Sequence, residues 1–436
     1  MEVTAKYKKT KAGLIPEDWD APSLGEIFVF KNGLNKAKQF FGYGTPIVNY
    51  MDVYGKCGLL ACDIQGRVSL DRQELKNFEV RKGDVFFTRT SETAAEVGMA
   101  SVMLEDLADT VFSGFILRAR PKSDSLEDQF KKYCFSTRAV RKQITSQSTE
   151  TTRALTNGRY LSSVTIARPP KSEQRAIAGA LSDVDALIGA LDAALTKKRN
   201  LKKAAMQHLL TGQIRLPGFH GEWKEKPLGD LFNFSGGYSA SRDQLSMEGH
   251  CYLHYGDIHG STKTYIDTDA DFQDMPKLDI PLKRISSASL LDDGDVVFVD
   301  ASEDDEGTSK HVVVVNKKKK PFISGLHTIV AKSKTEELSN EYRRYCFQTS
   351  AIRKQFLFYS VGTKVSGISK SNIAKLTLSF PSVPEQVAIA TVLSDMDSEI
   401  SALEARRDKT QALKQAMTQE LLTGKTRLVP AGAAHD

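Results

Sequence analysis

"EQRAIAGALSDVDALIGAL" at 173–191 and "EQVAIATVLSDMDSEISAL" at 385–403 are two versions of one sentence, and their reading decides the fold. Extended to 173–216 and 385–428, the two segments align at a constant offset of 212 without a gap, with 24 of 44 positions identical. Both end on the same phrase, "HLLTGQIRL" at 208–216 and "ELLTGKTRL" at 420–428. The repetition reaches outward. The only two tryptophans, Trp19 and Trp223, precede "LGEIF" (24–28) and "LGDLF" (228–232). "YMDV" answers "YGDI", "GDVFF" (83–87) answers "GDVVF" (294–298), and "KKYCFSTRAVRKQ" (131–143) answers "RRYCFQTSAIRKQ" (343–355). Offsets grow from 204 at the tryptophans to 212 at the long segments. Insertions therefore accumulated in the intervening segments, as loops tolerate, while the segments at 173–216 and 385–428 kept their length.

Those segments are helices. Ile177, Leu181, Val184, Ile188, Leu191 and Leu195 follow a 4-3 spacing, as do Ile389, Leu393, Met396, Ile400 and Leu403. Sustained 4-3 spacing makes a narrow seam for another helix, and with one such helix per repeat the economical partner of each is the other, packed antiparallel. The alternative is that each helix packs on its own globular half. About 38 residues at 1.5 Å each gives roughly 57 Å, far beyond the usual globular helix. Ser172 reads as the N-cap of the first helix, Pro384 suits the first turn of the second, and Gly212 and Gly424 stand where a C-cap glycine stops each. β-like runs such as "GDVFFT", "SGFILRARP", "HVVVV" and "KLTLSF" accompany a helical stretch around each "YCF". The expected class is α+β, a tandem repeat of two globular bodies joined by two long antiparallel helices. The expected divisions are 1–171, 172–216, 217–383, 384–428 and a tail at 429–436.

Composition excludes several classes. Forty per cent hydrophobic and 26% charged residues are those of an ordinary globular protein. No apolar run is long enough to span a bilayer, and the N-terminus lacks a signal-peptide h-region, so a cytoplasmic protein without a membrane partner is expected. Five unspaced cysteines make no disulfide framework, and the "YCF" cysteines Cys134 and Cys346 read as buried packing. A net charge of +6 permits a polyanionic partner without requiring one. There is no GxxxxGK[ST], GxSxG or HExxH, and the Pro169-Pro170 pair lacks the neighbours of an adenine-methyltransferase motif.

The "IPEDW…LGEIF" opening, the paired "EQ.AIA..LS..D" helices and the "LLTG..RL" endings together resemble the specificity subunits of type I restriction–modification systems, over nearly the whole chain. The resemblance implies two target-recognition domains, each reading half of a split, asymmetric site in double-stranded DNA. It also implies helices that set the spacer and bind two modification (methyltransferase) subunits, with restriction subunits supplied separately. On this reading the chain has no catalytic residue and no cofactor, and S-adenosylmethionine belongs to the methyltransferase partner, which methylates adenine.

Base readout requires side chains with fixed donor and acceptor groups, and phosphate contact requires lysines and hydroxyls. In the first repeat Lys31, Asn32, Asn35, Lys36, Lys38 and Tyr43 lie in one polar stretch, Arg89 and Ser91 follow "GDVFF", and Arg153, Asn157 and Arg159 precede the closing strand. The matching residues of the second repeat are Tyr238, Ser239, Ser241 and Arg242, then Ser302, then Lys364, Ser366, Lys370 and Asn372. Solvated loops are the alternative for any one of them. "KKRNLKK" at 197–203 is either a phosphate-tracking run or a solvated helix face. Two other clusters invite a metal. His250, Cys251, His254 and His259 have ligand chemistry but match no common zinc spacing. The acidic run "DASEDDE" at 300–306 could hold Mg²⁺ in a single-chain DNA-acting enzyme, accept from cytosine, or simply be solvated. The remaining alternative is a coiled-coil scaffold with no DNA role.

Overall fold

The computed structural model describes residues 6–146, 149–150, 154–261, 263–302, 310–362 and 366–429. The chain divides into two units, Met1–Asp192 with Ala405–Asp436, and Ala193–Glu404. Each boundary between the units falls within a long helix. Each unit thus combines one globular body, the first part of its own helix, and the last part of the other repeat's helix.

Unit 1 is built on a five-stranded sheet of β1 (Phe28–Asn32), β2 (Gly58–Leu59), β3 (Val85–Thr88), β4 (Ala100–Met103) and β5 (Ile116–Pro121). Its order is β1-β5-β3-β4-β2, antiparallel except for the last pair. Unit 2 has β6 (Phe232–Gly236), β7 (Tyr265–Asp267), β8 (Val296–Val299), β9 (His311–Val315) and β10 (Thr328–Ser333). Its order, β6-β10-β8-β9-β7, is the same topology with the same parallel edge. The strands β3 and β8 are buried at every position, which is why "VFFT" and "VVFV" are continuous apolar runs rather than alternating ones. Cys134 and Cys346 are buried in the cores of units 1 and 2, as their sequence context predicts.

The long helices are α1 (Lys171–Leu209) and α2 (Val383–Leu422), of 39 and 40 residues. The first helical bonds run from Gln174 N–H to the Pro170 carbonyl and from Gln386 N–H to the Ser382 carbonyl. Pro170 and Ser382 are therefore the caps, and Ser172 lies inside the first turn rather than capping it. Ile177, Leu181, Ile389 and Leu393 enter the cores of their own bodies, so for the first turns the packing on the globular half is what forms. Leu191 and Leu195 are buried farther along, and Val184, Ile188, Met396, Ile400 and Leu403 are half-buried.

The seam then continues in different chemistry. At the next 4-3 positions α1 carries Lys198 and Lys202, and α2 carries Arg407, Thr410 and Lys414. In unit 1 Lys414 pairs with Asp185 at 2.5 Å and Arg407 lies 3.8 Å from Asp192. In unit 2 Lys198 pairs with Glu399, Lys202 with Asp397, and Arg199 with Glu404 at 2.5 Å. In each unit the helix segments thus run antiparallel. The "KKRNLKK" cations named here serve helix pairing, their aliphatic stems covering the seam.

The shared vocabulary of the repeats also closes each unit. In unit 1 Leu421 and Leu422 enter the core and Gly424 leaves the helix at φ 68°, while the Glu420 carbonyl accepts from Lys425 N–H at 3.0 Å. A Cβ on Gly424 would lie 2.5 Å from Pro16 Cγ and 3.2 Å from Trp19 Cη2. Arg427 donates to both carboxylate oxygens of Glu173, at 2.6 and 2.8 Å, and of Asp18, at 3.0 and 2.8 Å. Trp19 Nε1 donates to Glu173 at 2.9 Å, under the guanidinium. Burial opposes the charge on Arg427, but the bonds to Asp18 and Glu173 outweigh it and hold its pKa above the ordinary value. Unit 2 repeats the motif: Gly212 (φ 70°) sits against Trp223, and Arg215 takes both oxygens of the buried Glu385.

The glutamines beside those glutamates clamp the entry to each helix. Gln174 donates to Pro169 and Ser125 carbonyls and accepts from Glu127 N–H; Gln386 does the same with Pro381, Glu337 and Ser339. Tyr133 donates to Asp185 at 2.7 Å and Tyr345 to Asp397 at 2.9 Å. Among the described residues no helix is long and apolar enough to cross a membrane.

Candidate nucleic-acid interface

Backbone pairing brings the separate polar stretches of each repeat to one edge of its body. In unit 1 Thr90–Ser91 pairs with Ala154–Leu155, and the Arg89 carbonyl accepts from Thr156 N–H at 3.0 Å. In unit 2 Ala301–Ser302 pairs with Ser366–Gly367, and the Asp300 carbonyl accepts from Ile368 N–H at 2.8 Å. The segment after each "GDV" strand is thereby zipped to residues 154–156 in unit 1 and 366–368 in unit 2. The first polar stretch joins them. Asn35 lies against Gly114, where a Cβ would sit 1.9 Å from its Oδ1, and Tyr238 N–H donates to the Ser324 carbonyl at 2.7 Å. Lys370 Nζ approaches Gly236 at the end of β6.

The candidates then separate by what already holds them. Asn32, Asn35, Lys38, Tyr43, Arg159, Ser239, Arg242 and Lys370 are exposed, and so is Asn157, whose Oδ1 accepts from Tyr160 N–H at 3.0 Å as the cap of the helix Gly158–Ser162. Lys36 is instead committed to Glu74 at 2.6 Å and the Ser69 carbonyl, and Lys31 to the Asn77 carbonyl at 2.5 Å. Ser91 donates to Glu96 at 3.1 Å, and both Ser91 and Ser302 are buried. Ser241 caps a short turn through Gln244, Asn372 donates to the Tyr359 carbonyl at 3.1 Å, and Tyr238 and Ser366 are half-buried. Arg153, Lys364, Asp304 and Asp305 lie outside the described residues.

The histidine cluster has a structural use. Cys251 is buried in the strand His250–Leu253, and His254 caps the helix Tyr255–His259, its Nδ1 accepting from Gly256 N–H at 3.1 Å. Asn49 caps the matching helix of unit 1 with Asp52 in the place of Asp257. Burial depresses the His254 pKa, and against the opposing pull of Asp257 the nearby Arg242 and His327 add to that depression. The imidazole is therefore held in the neutral form its acceptor role needs. Tyr255 packs at a tilt against His254, ring centroids 4.5 Å apart, and meets His327 edge-on at 5.6 Å.

Two residues at this edge escaped the sequence reading. Phe115, just before β5, is 66% exposed. His327, just before β10, is exposed and adopts φ 59°, a left-handed conformation uncommon outside glycine. A "Ser-Gly" pair precedes both, at 113–114 and 324–325, but His327 comes one residue later after its pair than Phe115 does, so strand register and not sequence matches the two.

Two bodies of one topology, each gathering a different polar set at the same edge, define a protein with two related readers. The family model for the type I restriction modification DNA specificity domain matches residues 16–198 and 220–414. The chain belongs to that family and carries its domain twice; it is a type I restriction–modification specificity subunit with two target-recognition domains. A putative type I restriction enzyme MjaX specificity subunit of Methanocaldococcus jannaschii is 23% identical, with 97% of each chain covered. The crystal structure of a type I restriction–modification S subunit from M. genitalium matches with a TM-score of 0.53 at 13% identity, covering 93% of this chain and 96% of that one. A chain from a structural study of complex assembly and conformational transition in the type I R-M system matches with a TM-score of 0.55 at 15% identity, covering 94% and 99%. At these identities the structural likenesses speak to the fold.

Proposed function

We propose that the two target-recognition domains each read one half of a bipartite, asymmetric site in double-stranded DNA, and that the chain holds two methyltransferase subunits, and restriction subunits, on that site. The chain itself is non-catalytic; adenine methylation with S-adenosylmethionine belongs to the methyltransferase partner, and the complex works in the cytoplasm. The observation that carries this reading is the pair of sheets with one strand order whose matched edges differ in chemistry. One scaffold with two different sets of contact residues is what two readers of different half-sites require. The constant register of α1 and α2, kept while the bodies diverged, supports a fixed spacer between the half-sites.

The test is binding of the chain, assembled with its methyltransferase subunits, to duplexes over a range of salt. Binding that weakens steeply as salt rises, with a sequence-dependent component that survives, is the expected result. A chain that binds no duplex in any assembly is a scaffold. A purified chain that alone cuts or methylates DNA is an enzyme in its own right.

A further inference from the structure

The exposed edge of each body has a matched pair of residues held together by one backbone bond. In unit 1 Arg89 N–H donates to the Phe115 carbonyl at 3.2 Å; in unit 2 Asp300 N–H donates to the His327 carbonyl at 3.2 Å. Each pair sits where the central strand, β3 or β8, leaves the sheet beside the start of β5 or β10. The carbonyl of the first member then accepts from the N–H of Thr156 or Ile368. The same two backbone bonds thus tie the position on both sides in both bodies, and the side chains are unlike in every respect that matters to a base.

We propose that Arg89 with Phe115, and Asp300 with His327, are specificity-determining pairs, one for each half-site. This rests on the reading of the two bodies as DNA readers. A side chain that packs the fold has no reason to expose an aromatic ring, yet Phe115 is 66% exposed at the same place where His327 is also exposed. His327 further adopts a left-handed backbone, which costs energy and is kept where a side chain must be aimed. Asp300 Oδ1 is buried, accepts no hydrogen bond among the described residues, and lies 3.3 Å from His327 Nδ1. Arg89 is half-buried, and its side chain has no hydrogen bond or ion pair among the described residues.

The chemistry assigns a partner to each. A guanidinium fork matches guanine O6 and N7, and an aromatic ring beside it meets a thymine methyl or an unstacked step. A carboxylate accepts from cytosine N4, and an imidazole beside it can donate to a neighbouring acceptor. One scaffold position therefore carries a donor in one reader and an acceptor in the other. The half-site read by unit 1 should hold a guanine facing Arg89; that read by unit 2 should hold a cytosine facing Asp300.

The experiment measures discrimination by the full chain assembled with its methyltransferase subunits. Binding to the preferred duplex is compared with binding to duplexes altered one base pair at a time. Arg89→Lys keeps the charge and loses the fork; Asp300→Asn keeps the shape and reverses part of the hydrogen-bonding. Arg89→Lys should cut discrimination at one base pair of one half-site by roughly 5- to 150-fold and leave the other half-site unchanged, with Asp300→Asn doing the reverse. Uniform weakening over all duplexes with a shallower salt slope would make Arg89 a phosphate contact and overturn the assignment, as would unchanged discrimination. Either of those outcomes leaves a bipartite preference in the unsubstituted complex. Absence of any bipartite preference there would instead overturn the underlying reading.

Discussion

Arg427 explains more of this chain than any other side chain. It joins Glu173 and Asp18 over the ring of Trp19, and so connects three pieces of sequence that are conspicuous in the repeat for no visible reason. The words "EQ", "W" and "LLTG..RL" were legible as repeats, yet their mutual contact was not, because Glu173 and Arg427 lie 254 positions apart and no periodicity links them. The same holds for His327, since the left-handed backbone that aims it leaves no trace in composition. The latch also makes a pH prediction. The hydrogen bonds from Arg427 hold the Asp18 carboxyl below its ordinary value of 3.8, against a smaller opposing effect of burial. A depressed carboxylate pKa contributes stability that is present above the unfolded value and lost as pH falls through the folded one. Asp18→Asn should therefore lower the melting temperature at about pH 7, and the difference from the unsubstituted chain should shrink as pH falls below the ordinary carboxylate value of 3.8 and through the depressed folded one. A difference that stays constant over that range would mean the contact acts through shape and not charge.

The 4-3 spacing correctly predicted long helices with a buried stripe, but periodicity reports that a face is covered and not what covers it. The first turns turned out to be covered by the bodies, through Ile177, Leu181, Ile389 and Leu393. The later turns are covered by the other helix, where the stripe changes from aliphatic residues to Lys198, Lys202, Arg407 and Lys414 paired with acids. A reading that counts only apolar residues stops at Leu195 and Leu403 and misses this half of the seam. Thr410 and Thr418 are also buried there, each hydroxyl donating to a carbonyl one turn back. The pairing dictates how the helices must be altered together. Four residues inserted after Arg199, with four inserted opposite after Ile400, keep Lys202 beside Asp397, Arg199 beside Glu404 and Lys414 beside Asp185, give up only the Lys198–Glu399 pair, and lengthen both helices by about 6 Å. The preferred spacer in the DNA should grow by about two base pairs, read by binding to duplexes of stepped spacing. An unchanged spacer would show that the helices do not set the distance.

At the scale of the molecule, the repeat and the compact units divide the chain differently. Sequence similarity groups each body with the helix that follows it, whereas each compact unit also takes in the last part of the other repeat's helix. A fragment ending near Gly218 would therefore keep Trp19 and Glu173 but lack Gly424 and Arg427. Its own matching phrase, with Gly212 and Arg215, can serve only on a second copy. Such a fragment should dimerise, with a mass in solution twice that of the chain, and favour a palindromic site; a strict monomer would contradict the shared role of the two phrases. The central claim is that two bodies of one topology read two different half-sites. Mapping the adenines methylated by the assembled complex over a whole genome tests it most directly. The account predicts one sequence with two dissimilar specified halves separated by an unspecified spacer of fixed length. A continuous site, or a spacer that varies from one modified position to the next, would contradict it.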